Sequence, residues 1–241
     1  MKNQEEVIKE YFSIIRNNNT KVNSFFSFLD AKNIQYAVLG GALRAALDSS
    51  YSLRDIDLIY KTDFSIVLNY LSENNIKFKK NSFDGLKFNL DNIQFDVWDI
   101  ENHFAFKNNY YKLSFKNVCK TTFLNYDSIM YDFTNQILYC EDYQTCINNK
   151  VLDLVGGWKL NNNNPNRPLS ICKIFEIKKE KKLSLSNKTK KYIRKYISFY
   201  GNNIKDCLCA LRNSYEIHYY KKMNKNLSIY IRKQLKEILK K

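Results

Sequence analysis

The stretch VLGGALRAAL (residues 38–47), followed by RDIDLIY (residues 54–60), decides the fold of this chain. In the first, an apolar run ends at two glycines and opens into residues that favour a helix. In the second, acids alternate with Ile and Leu, which is the period of a strand. The pattern therefore predicts a buried strand, a tight turn, a short helix and a second strand, in that order.

Two acids of the second strand are predicted to share one face. Because side chains alternate along a strand, Asp55 and Asp57 project the same way while Ile56 points into the core. Two such carboxylates repel each other unless water or a cation lies between them. Hard divalent cations such as Mg²⁺ or Mn²⁺ suit this arrangement, so Asp55 and Asp57 are candidate metal ligands and candidate catalytic residues.

Asp96 is the third candidate for this site. It lies in the strand-like run QFDVWD (residues 94–99), in which the alternation places Asp99 on the opposite face. We therefore favour Asp96 as the acid that completes the metal site. Two metal ions held in this way stabilise both the attacking and the leaving oxygen in phosphoryl transfer.

The glycine pair Gly40-Gly41 lies 14 residues before Asp55. A strand that ends in two glycines and opens a helix lets the backbone approach a phosphate group. Arg44, one turn into that helix, is predicted to reach the same phosphates. A glycine pair or an acid-x-acid strand is a weak signal alone, but their order along the chain is specific.

The remaining periodicities of the N-terminal part predict a mixed sheet with helices packed on one face, an α+β fold. Asp91-Asn92 is a hairpin signal between the last two predicted strands. Residues 107–139 give no clear pattern. Helices are predicted over residues 4–17, 21–31 and 64–72, with a short one after Gly41, and strands over residues 35–40, 53–60, 76–79, 86–90 and 93–100.

Charge and composition change at Asn161. Residues 161–241 carry 21 Lys and Arg against 5 Asp and Glu, a net charge of +16, whereas residues 1–160 have a net charge of −1. A basic module is typical of a polyanion binder, although a Lys-rich helical surface without a ligand has the same composition. We predict a catalytic domain over residues 1–160 and a basic all-helical domain over residues 161–241, with helices over 169–179, 188–200, 204–220 and 227–239.

Composition also excludes several classes of protein. No run approaches the roughly 20 apolar residues of a membrane-spanning helix, and the first residues lack a signal-peptide pattern, so we expect a cytoplasmic protein without a membrane partner. The six cysteines have no C-x-x-C spacing and are predicted to be reduced and mostly buried. His103 and His218, the two histidines, are too few for a histidine metal site or a Ser-His-Asp triad, and we expect His103 on a surface loop.

The order of strand, Gly-Gly turn, short helix, acid-x-acid strand and later acid resembles the nucleotidyltransferase superfamily of polymerase β, poly(A) polymerases and CCA-adding enzymes. The resemblance is closest to the head and neck of bacterial poly(A) polymerases and CCA-adding enzymes, although the Asp that follows the Arg in their first motif is Ala45 here. It implies transfer of a nucleoside monophosphate from an NTP, with release of pyrophosphate. The residues it assigns to the metal and to catalysis are Asp55, Asp57 and Asp96, and those it assigns to the phosphates are Gly40, Gly41 and Arg44.

Two further family motifs are matched more loosely. NNPNRPLSICKI (residues 163–174) resembles the motif that reads the base edge of the nucleotide. Asn164 replaces the Asp of that motif, and Arg167 keeps its first Arg. Because an amide can both donate and accept hydrogen bonds, Asn164 leaves the choice of base open. KTTF (residues 120–123) is the nearest counterpart of a phosphate-binding arginine motif, and that role would fall to Lys120.

Two classes of acceptor are open, and so is a function without nucleotide transfer. The basic C-terminal domain favours RNA, such as a tRNA 3′ end. Modification of a protein or a small molecule, as in toxin-like or antibiotic-modifying nucleotidyltransferases, is the alternative within the superfamily. A catalytically inactive RNA-binding module is the alternative from another class, and a protein partner is not indicated.

Overall fold

The structure, a computed structural model, describes residues 3–48, 53, 55–81, 84–157 and 167–240. The chain divides into two compact units. The N-terminal unit contains the residues up to Phe123 together with Asp127–Tyr143, and the C-terminal unit contains Leu124–Tyr126 together with the residues from Gln144 onward. The predicted domain boundary after residue 160 falls in residues 158–166, outside the described part of the chain.

The N-terminal unit is built on a mixed sheet. Its described strands form one seven-stranded sheet in the order β3-β4-β5-β2-β1-β6-β7, in which β2 and β5 are parallel and the other neighbours are antiparallel. The mixed sheet predicted from the alternation is therefore confirmed. The strands are β1 (Gln35–Leu39), β2 (Asp55–Lys61), β3 (Phe78–Lys80), β4 (Leu86–Leu90), β5 (Ile93–Asp99), β6 (Met130–Asp132) and β7 (Ile137–Tyr139).

One face of this sheet is covered by the N-terminal helices through aromatic side chains. Phe25 contacts Phe88 and Phe95 edge to face, with ring centroids 5.4 and 5.6 Å apart. Such contacts add to the burial of large apolar rings, which supplies most of the stabilisation here. The helices of this unit are α1 (Gln4–Asn18), α2 (Thr20–Ala31), α3 (Gly41–Leu47), α4 (Phe64–Glu73), α5 (Phe104–Lys107) and α6 (Phe115–Val118).

The opposite face is also partly covered, where the sequence predicted helices on one face only. Ala37, Ile59 and Met130 of this face form one buried cluster with Phe106 of α5 and Phe115 of α6. Both helices are four residues long, too short to produce a readable helical period. They cover the part of the face around Ala37, Ile59 and Met130.

The predicted hairpin between β4 and β5 is confirmed. Asp91 and Asn92 have φ values of 47° and 68°, and Leu90 is paired with Ile93. A two-residue turn with positive φ at both residues matches the right-handed twist of the two strands that it joins. The Asp91 carboxylate also accepts hydrogen bonds from the backbone N–H groups of Lys21 and Val22, at the start of α2, so this hairpin is anchored to the helical layer.

The C-terminal unit contains the helices that the sequence predicted after residue 161. Its core holds Ile171, Phe175, Ile193, Leu211 and Leu235, all fully buried. A short parallel pair of strands accompanies the helices. The elements are β8 (Val151–Leu152), α8 (Arg167–Glu180), β9 (Ser184–Leu185), α9 (Asn187–Ser198), α10 (Ile204–Tyr219) and α11 (Lys225–Leu239), and α7 (Glu141–Asn149) contains the change from one unit to the other.

Four of the six free cysteines are buried, Cys119, Cys146, Cys172 and Cys207, as the sequence predicted for most of them. Burial raises the pKa of the Cys172 thiol to about 12, so it stays protonated and acts as a small apolar side chain. Among the helices of the described residues, none combines the length and the apolarity that crossing a bilayer requires.

Candidate active site

Three carboxylates lie on one face of the sheet where β2 and β5 run side by side. The parallel register places Asp57 next to Asp96 and Asp55 next to Gln94. Since alternate residues share a face, Asp55, Asp57 and Asp96 project from the same side. Asp96 is 8% exposed, and both other acids are partly buried. The strand pairing thus gathers the three acids that the sequence singled out.

Asp99 lies on the opposite face and has a different function. Its carboxylate accepts hydrogen bonds from the Glu101 backbone N–H at 3.0 Å and from the Asn102 side-chain amide at 2.8 Å. It therefore caps the short 3₁₀ helix Ile100–Asn102. Burial raises the pKa of this carboxyl, and its position leaves it outside the candidate site.

The Gly40-Gly41 turn lies beside the acids. Gly40 has a φ of 58°, a conformation that favours glycine, and its N–H donates to the Ile129 carbonyl at 2.9 Å. A Cβ at Gly41, the first residue of α3, would lie 3.7 Å from Asp55 Oδ1 and 4.0 Å from Arg44 Nη2. A carboxylate, a guanidinium and a backbone without side chains therefore converge at this turn.

Arg44 is held by Asp127, which was not among the predicted site residues. The guanidinium Nη1 lies 3.0 Å from Asp127 Oδ1, and the side chains are only 17% and 15% exposed. Asp127 comes shortly before β6, which pairs with β1. The ion pair fixes the guanidinium beside the glycine turn, because charge-assisted hydrogen bonds in a shielded place are strong and directional.

Both oxygens of the Asp96 carboxylate are bound within the N-terminal unit. Lys87 Nζ lies 2.9 Å from Oδ2, and Asn81 Nδ2 donates to Oδ1 at 2.9 Å. Lys87 is the direct partner of Asp96 across the antiparallel β4–β5 pair. Asn81 in turn accepts a hydrogen bond from the Gly85 N–H at 2.9 Å, so the amide that supports Asp96 is itself held.

These donors can be tested against the requirements of a divalent cation. In the described part of the chain, no three His, Cys, Asp or Glu side chains are grouped closely enough to hold a metal ion. Mg²⁺ is commonly bound through one or two carboxylates together with substrate phosphates and water, which Asp55 and Asp57 beside the glycine turn would satisfy. Both oxygens of Asp96 already accept from Lys87 and Asn81, and its part in metal binding stays a prediction.

The other predicted nucleotide-binding residues are placed as follows. Lys120 is exposed on the 3₁₀ turn Cys119–Thr121 of the N-terminal unit. Arg167 begins α8 in the C-terminal unit, and its guanidinium carbon lies 5.4 Å from the ring centre of Phe199 and 6.0 Å from that of Tyr192, within the range of cation–π attraction. Asn164 lies outside the described residues. The roles of all three stay predictions.

His103 lies in the connection between the 3₁₀ helix Ile100–Asn102 and α5, but it is not at the surface as expected. It is partly buried, and its Nδ1 accepts a hydrogen bond from the Ala105 N–H at 3.3 Å at the start of α5. Burial lowers the pKa of this imidazole to about 4, so the ring is neutral at physiological pH. Its geometry is that of a helix cap.

Comparison with models of protein families finds no match, and comparison with curated proteins finds none. Solved structures do match. A CCA-adding enzyme in complex with CTP superposes with a TM-score of 0.67 at 14% identity, covering 98% of this chain and 55% of that one. A tRNA nucleotidyltransferase complexed with a primer tRNA and an incoming ATP analog gives 0.62 at 10% identity, covering 88% and 60%. A Thermotoga maritima CCA-adding enzyme complexed with tRNA gives 0.62 at 15% identity, covering 91% and 51%.

These likenesses establish the fold. The chain has the nucleotidyltransferase fold that its sequence motifs predicted, an α+β unit with a mixed sheet followed by a helical part. It spans about half the length of the solved structures that it matches. At identities of 10–15%, the chemistry has to be argued from the residues of this chain.

Proposed function

We propose that this protein is a metal-dependent nucleotidyltransferase that transfers a nucleoside monophosphate from an NTP to an acceptor hydroxyl of RNA, such as a tRNA 3′ end. The observation that carries the proposal is the convergence of the Gly40-Gly41 turn, Arg44 and Asp55, with Asp57 and Asp96 beside them on the same face. That constellation occurs in a chain with the nucleotidyltransferase fold. Nucleotidyl transfer needs a binding place for the triphosphate and carboxylates next to it, and this constellation provides both.

The glycine turn and Arg44 would hold the triphosphate. Gly40 and Gly41 present backbone without side chains, so a phosphate can approach the start of α3 closely. Arg44 would pair with the phosphate oxygens, and its ion pair with Asp127 keeps the guanidinium in place before the nucleotide arrives. A group that is already oriented loses less entropy when the substrate binds.

Asp55 and Asp57 would hold Mg²⁺ or Mn²⁺. When bound, the cation supplies neutralisation of the charge on the triphosphate. In the transfer itself, the acceptor oxygen forms a bond to the α-phosphorus, the bond from that phosphorus to the bridging oxygen breaks, and pyrophosphate leaves. The proton of the acceptor hydroxyl would pass to a carboxylate of this face, for which Asp96 is the candidate. Most of the acceleration comes from positioning and charge stabilisation.

The charge of the C-terminal part supports RNA as the acceptor. Residues 161–241 have a net charge of +16, and phosphate contacts made by such a surface would be released by salt. Two of the solved neighbours are complexes with a primer tRNA and with tRNA. Arg167, Lys120 and Asn164 are the residues we propose for the nucleotide beyond the glycine turn.

A catalytically inactive RNA-binding module is the second candidate. It is favoured by the ion pair of Asp96 with Lys87 and by the finding that no three acids of the described residues are grouped as a metal site. Calorimetry with Mg²⁺ and each NTP separates the two candidates. An inactive module would show no metal-dependent binding of nucleotide.

The decisive experiment is transfer from each of four labelled NTPs in a cell extract that is afterwards separated into RNA, protein and small-molecule fractions. Label in RNA, with the product sequenced, supports the proposal and gives the base and the number of nucleotides added. Label in protein or in small molecules would instead support the toxin-like or antibiotic-modifying alternative. The Asp55→Ala variant, run in parallel, controls for contaminating activity.

A further inference from the structure

A row of charged residues crosses four strands of the sheet on the face of the candidate site. Lys79 of β3 is paired with Lys87 of β4, Lys87 with Asp96 of β5, and Asp96 with Asp57 of β2. Direct partners on neighbouring strands point to the same side of a sheet. The carboxylates are therefore bordered by two lysines, on the side away from β1 and its glycine turn.

Lys87 is held in one orientation by a buried support. Its ammonium binds Asp96, whose side chain is only 12% exposed, and Asp96 is fixed from its other oxygen by Asn81. Asn81 is tied to Gly85 by hydrogen bonds in both directions, at 2.8 and 2.9 Å. A side chain at Gly85 would collide with the Trp98 indole and with the Asn81 amide, so the support is closely packed.

The outer part of Lys87 remains available to a second anion. An ammonium has three hydrogen-bond donors, and the Lys87 side chain is 47% exposed while it binds Asp96. Lys79 is exposed directly opposite it on β3. Like charges placed directly opposite each other across a sheet are destabilising, and an anion bound between them relieves that repulsion.

We propose that Lys87 and Lys79 bind a backbone phosphate of the acceptor strand, which makes the acceptor a single-stranded nucleic acid. This inference rests on the proposed function, since it assumes that the triphosphate occupies the glycine turn. Lys87 lies on β4, two strands or roughly 10 Å from Asp57 on β2, and the turn lies on the opposite side of β2. A strand that delivers its 3′ hydroxyl to Asp57 across β5 would place a preceding phosphate near Lys87.

The test is binding of a fluorescent single-stranded RNA, followed by anisotropy across a salt series, for the full chain and four variants. Lys87→Gln and Lys79→Gln should each weaken binding about 3- to 10-fold and reduce the slope of log K against log salt by about 0.7, the value for one phosphate contact on a single strand. Lys87→Arg should keep most of the affinity. Lys32→Gln, which removes an exposed lysine at the end of α2, is the matched control and should match the wild type.

Three results would overturn the inference. The first is a wild-type salt slope in both glutamine variants whose unfolding transitions show that they are folded. The second is weaker binding of NTP, measured by calorimetry, with unchanged RNA binding in Lys87→Gln, which would place Lys87 on the triphosphate. The third is that the glutamine variants lose binding to anionic lipid vesicles or polyglutamate by the same factor as binding to RNA, which would indicate a general anion-binding surface. Because RNA binding is measured without transfer, an enzyme that fails to transfer nucleotide leaves this test intact.

Discussion

Arg44 and Asp127 form an ion pair beside the glycine turn, with 3.0 Å between Nη1 and Oδ1 and little of either side chain exposed. Arg44 belongs to α3, which follows β1. Asp127 comes shortly before β6, which pairs with β1 on the side away from β2. The contact therefore joins two segments that are far apart in sequence at the place where the phosphates are proposed to bind. Its strength can be measured separately from catalysis.

Asp127→Asn is expected to destabilise the fold. The amide keeps the size of the carboxylate but removes its charge from the ion pair with Arg44, and breaking a partly shielded pair costs more than breaking a surface pair. We expect the free energy of unfolding, from urea denaturation, to fall by about 1–2 kcal/mol. Asp84→Asn breaks the exposed pair of Asp84 with Lys107 and should cost less than about 0.5 kcal/mol. Equal losses of unfolding free energy in the two variants would mean that the pair of Arg44 with Asp127 stabilises the fold no more than an exposed pair does.

Asp55→Ala and Asp57→Ala are expected to abolish transfer while leaving the fold intact. Both side chains lie on the face of β2 that carries the candidate site, and removal of a metal-binding carboxylate should lower single-turnover rates by roughly 1,000-fold or more. The unfolding transition should stay close to that of the wild type. Glu73→Gln, at the end of α4, is the control for a change of one negative charge. Near wild-type turnover in either alanine variant would refute the metal assignment.

Much of the site's geometry follows from the sequence by simple rules of strand pairing. Alternation alone places Asp55 and Asp57 together, and the two-residue hairpin at Asp91-Asn92 sets the register that puts Lys87 opposite Asp96. That hairpin was predicted, but the register that follows from it along β4 was not. The pairing of Lys87 with Asp96 was therefore within reach of the sequence.

The partnership of Arg44 with Asp127 was not within reach in the same way. It depends on the pairing of β1 with β6, and β6 is three residues long in a segment whose other elements are 3₁₀ turns and four-residue helices. Such short elements carry too few residues for a period to be read. Helix α5 and the cap made by His103 were missed for the same reason, since tertiary contacts rather than local pattern define them.

Gly40→Ala and Gly201→Ala form a matched pair that separates backbone strain from function. Both glycines have positive φ, 58° and 55°, so each alanine should cost about 1–2 kcal/mol of stability. A Cβ at Gly40 would lie 3.6 Å from Arg44 Nη1, whereas nothing lies within 4 Å of one at Gly201. We expect NTP binding, measured by calorimetry, to be weakened only by Gly40→Ala. Unchanged NTP affinity in that variant would argue against a phosphate at this turn.

His103 should make the stability of the N-terminal unit depend on pH. Burial lowers its pKa to about 4 in the folded chain, against an ordinary value of 6.5. Between those two values the unfolded chain binds a proton that the folded chain does not, so stability falls as the pH is lowered from about 6.5 to about 4. A shift of this size corresponds to roughly 2–3 kcal/mol after allowance for the partial exposure of the ring.

The comparison that isolates this effect is with His103→Asn, since asparagine can still accept the hydrogen bond of the Ala105 N–H at the start of α5. Urea denaturation at pH 7 and pH 4.5 should show a smaller loss of unfolding free energy in the variant than in the wild type, because carboxylates titrate in both chains and only the imidazole differs. His218→Asn, in the exposed last turn of α10, should retain the full wild-type loss. If His103→Asn lost as much stability as the wild type between the two pH values, the imidazole would have to be protonated in the folded chain, and its burial at the helix cap could not be the cause of the acid sensitivity.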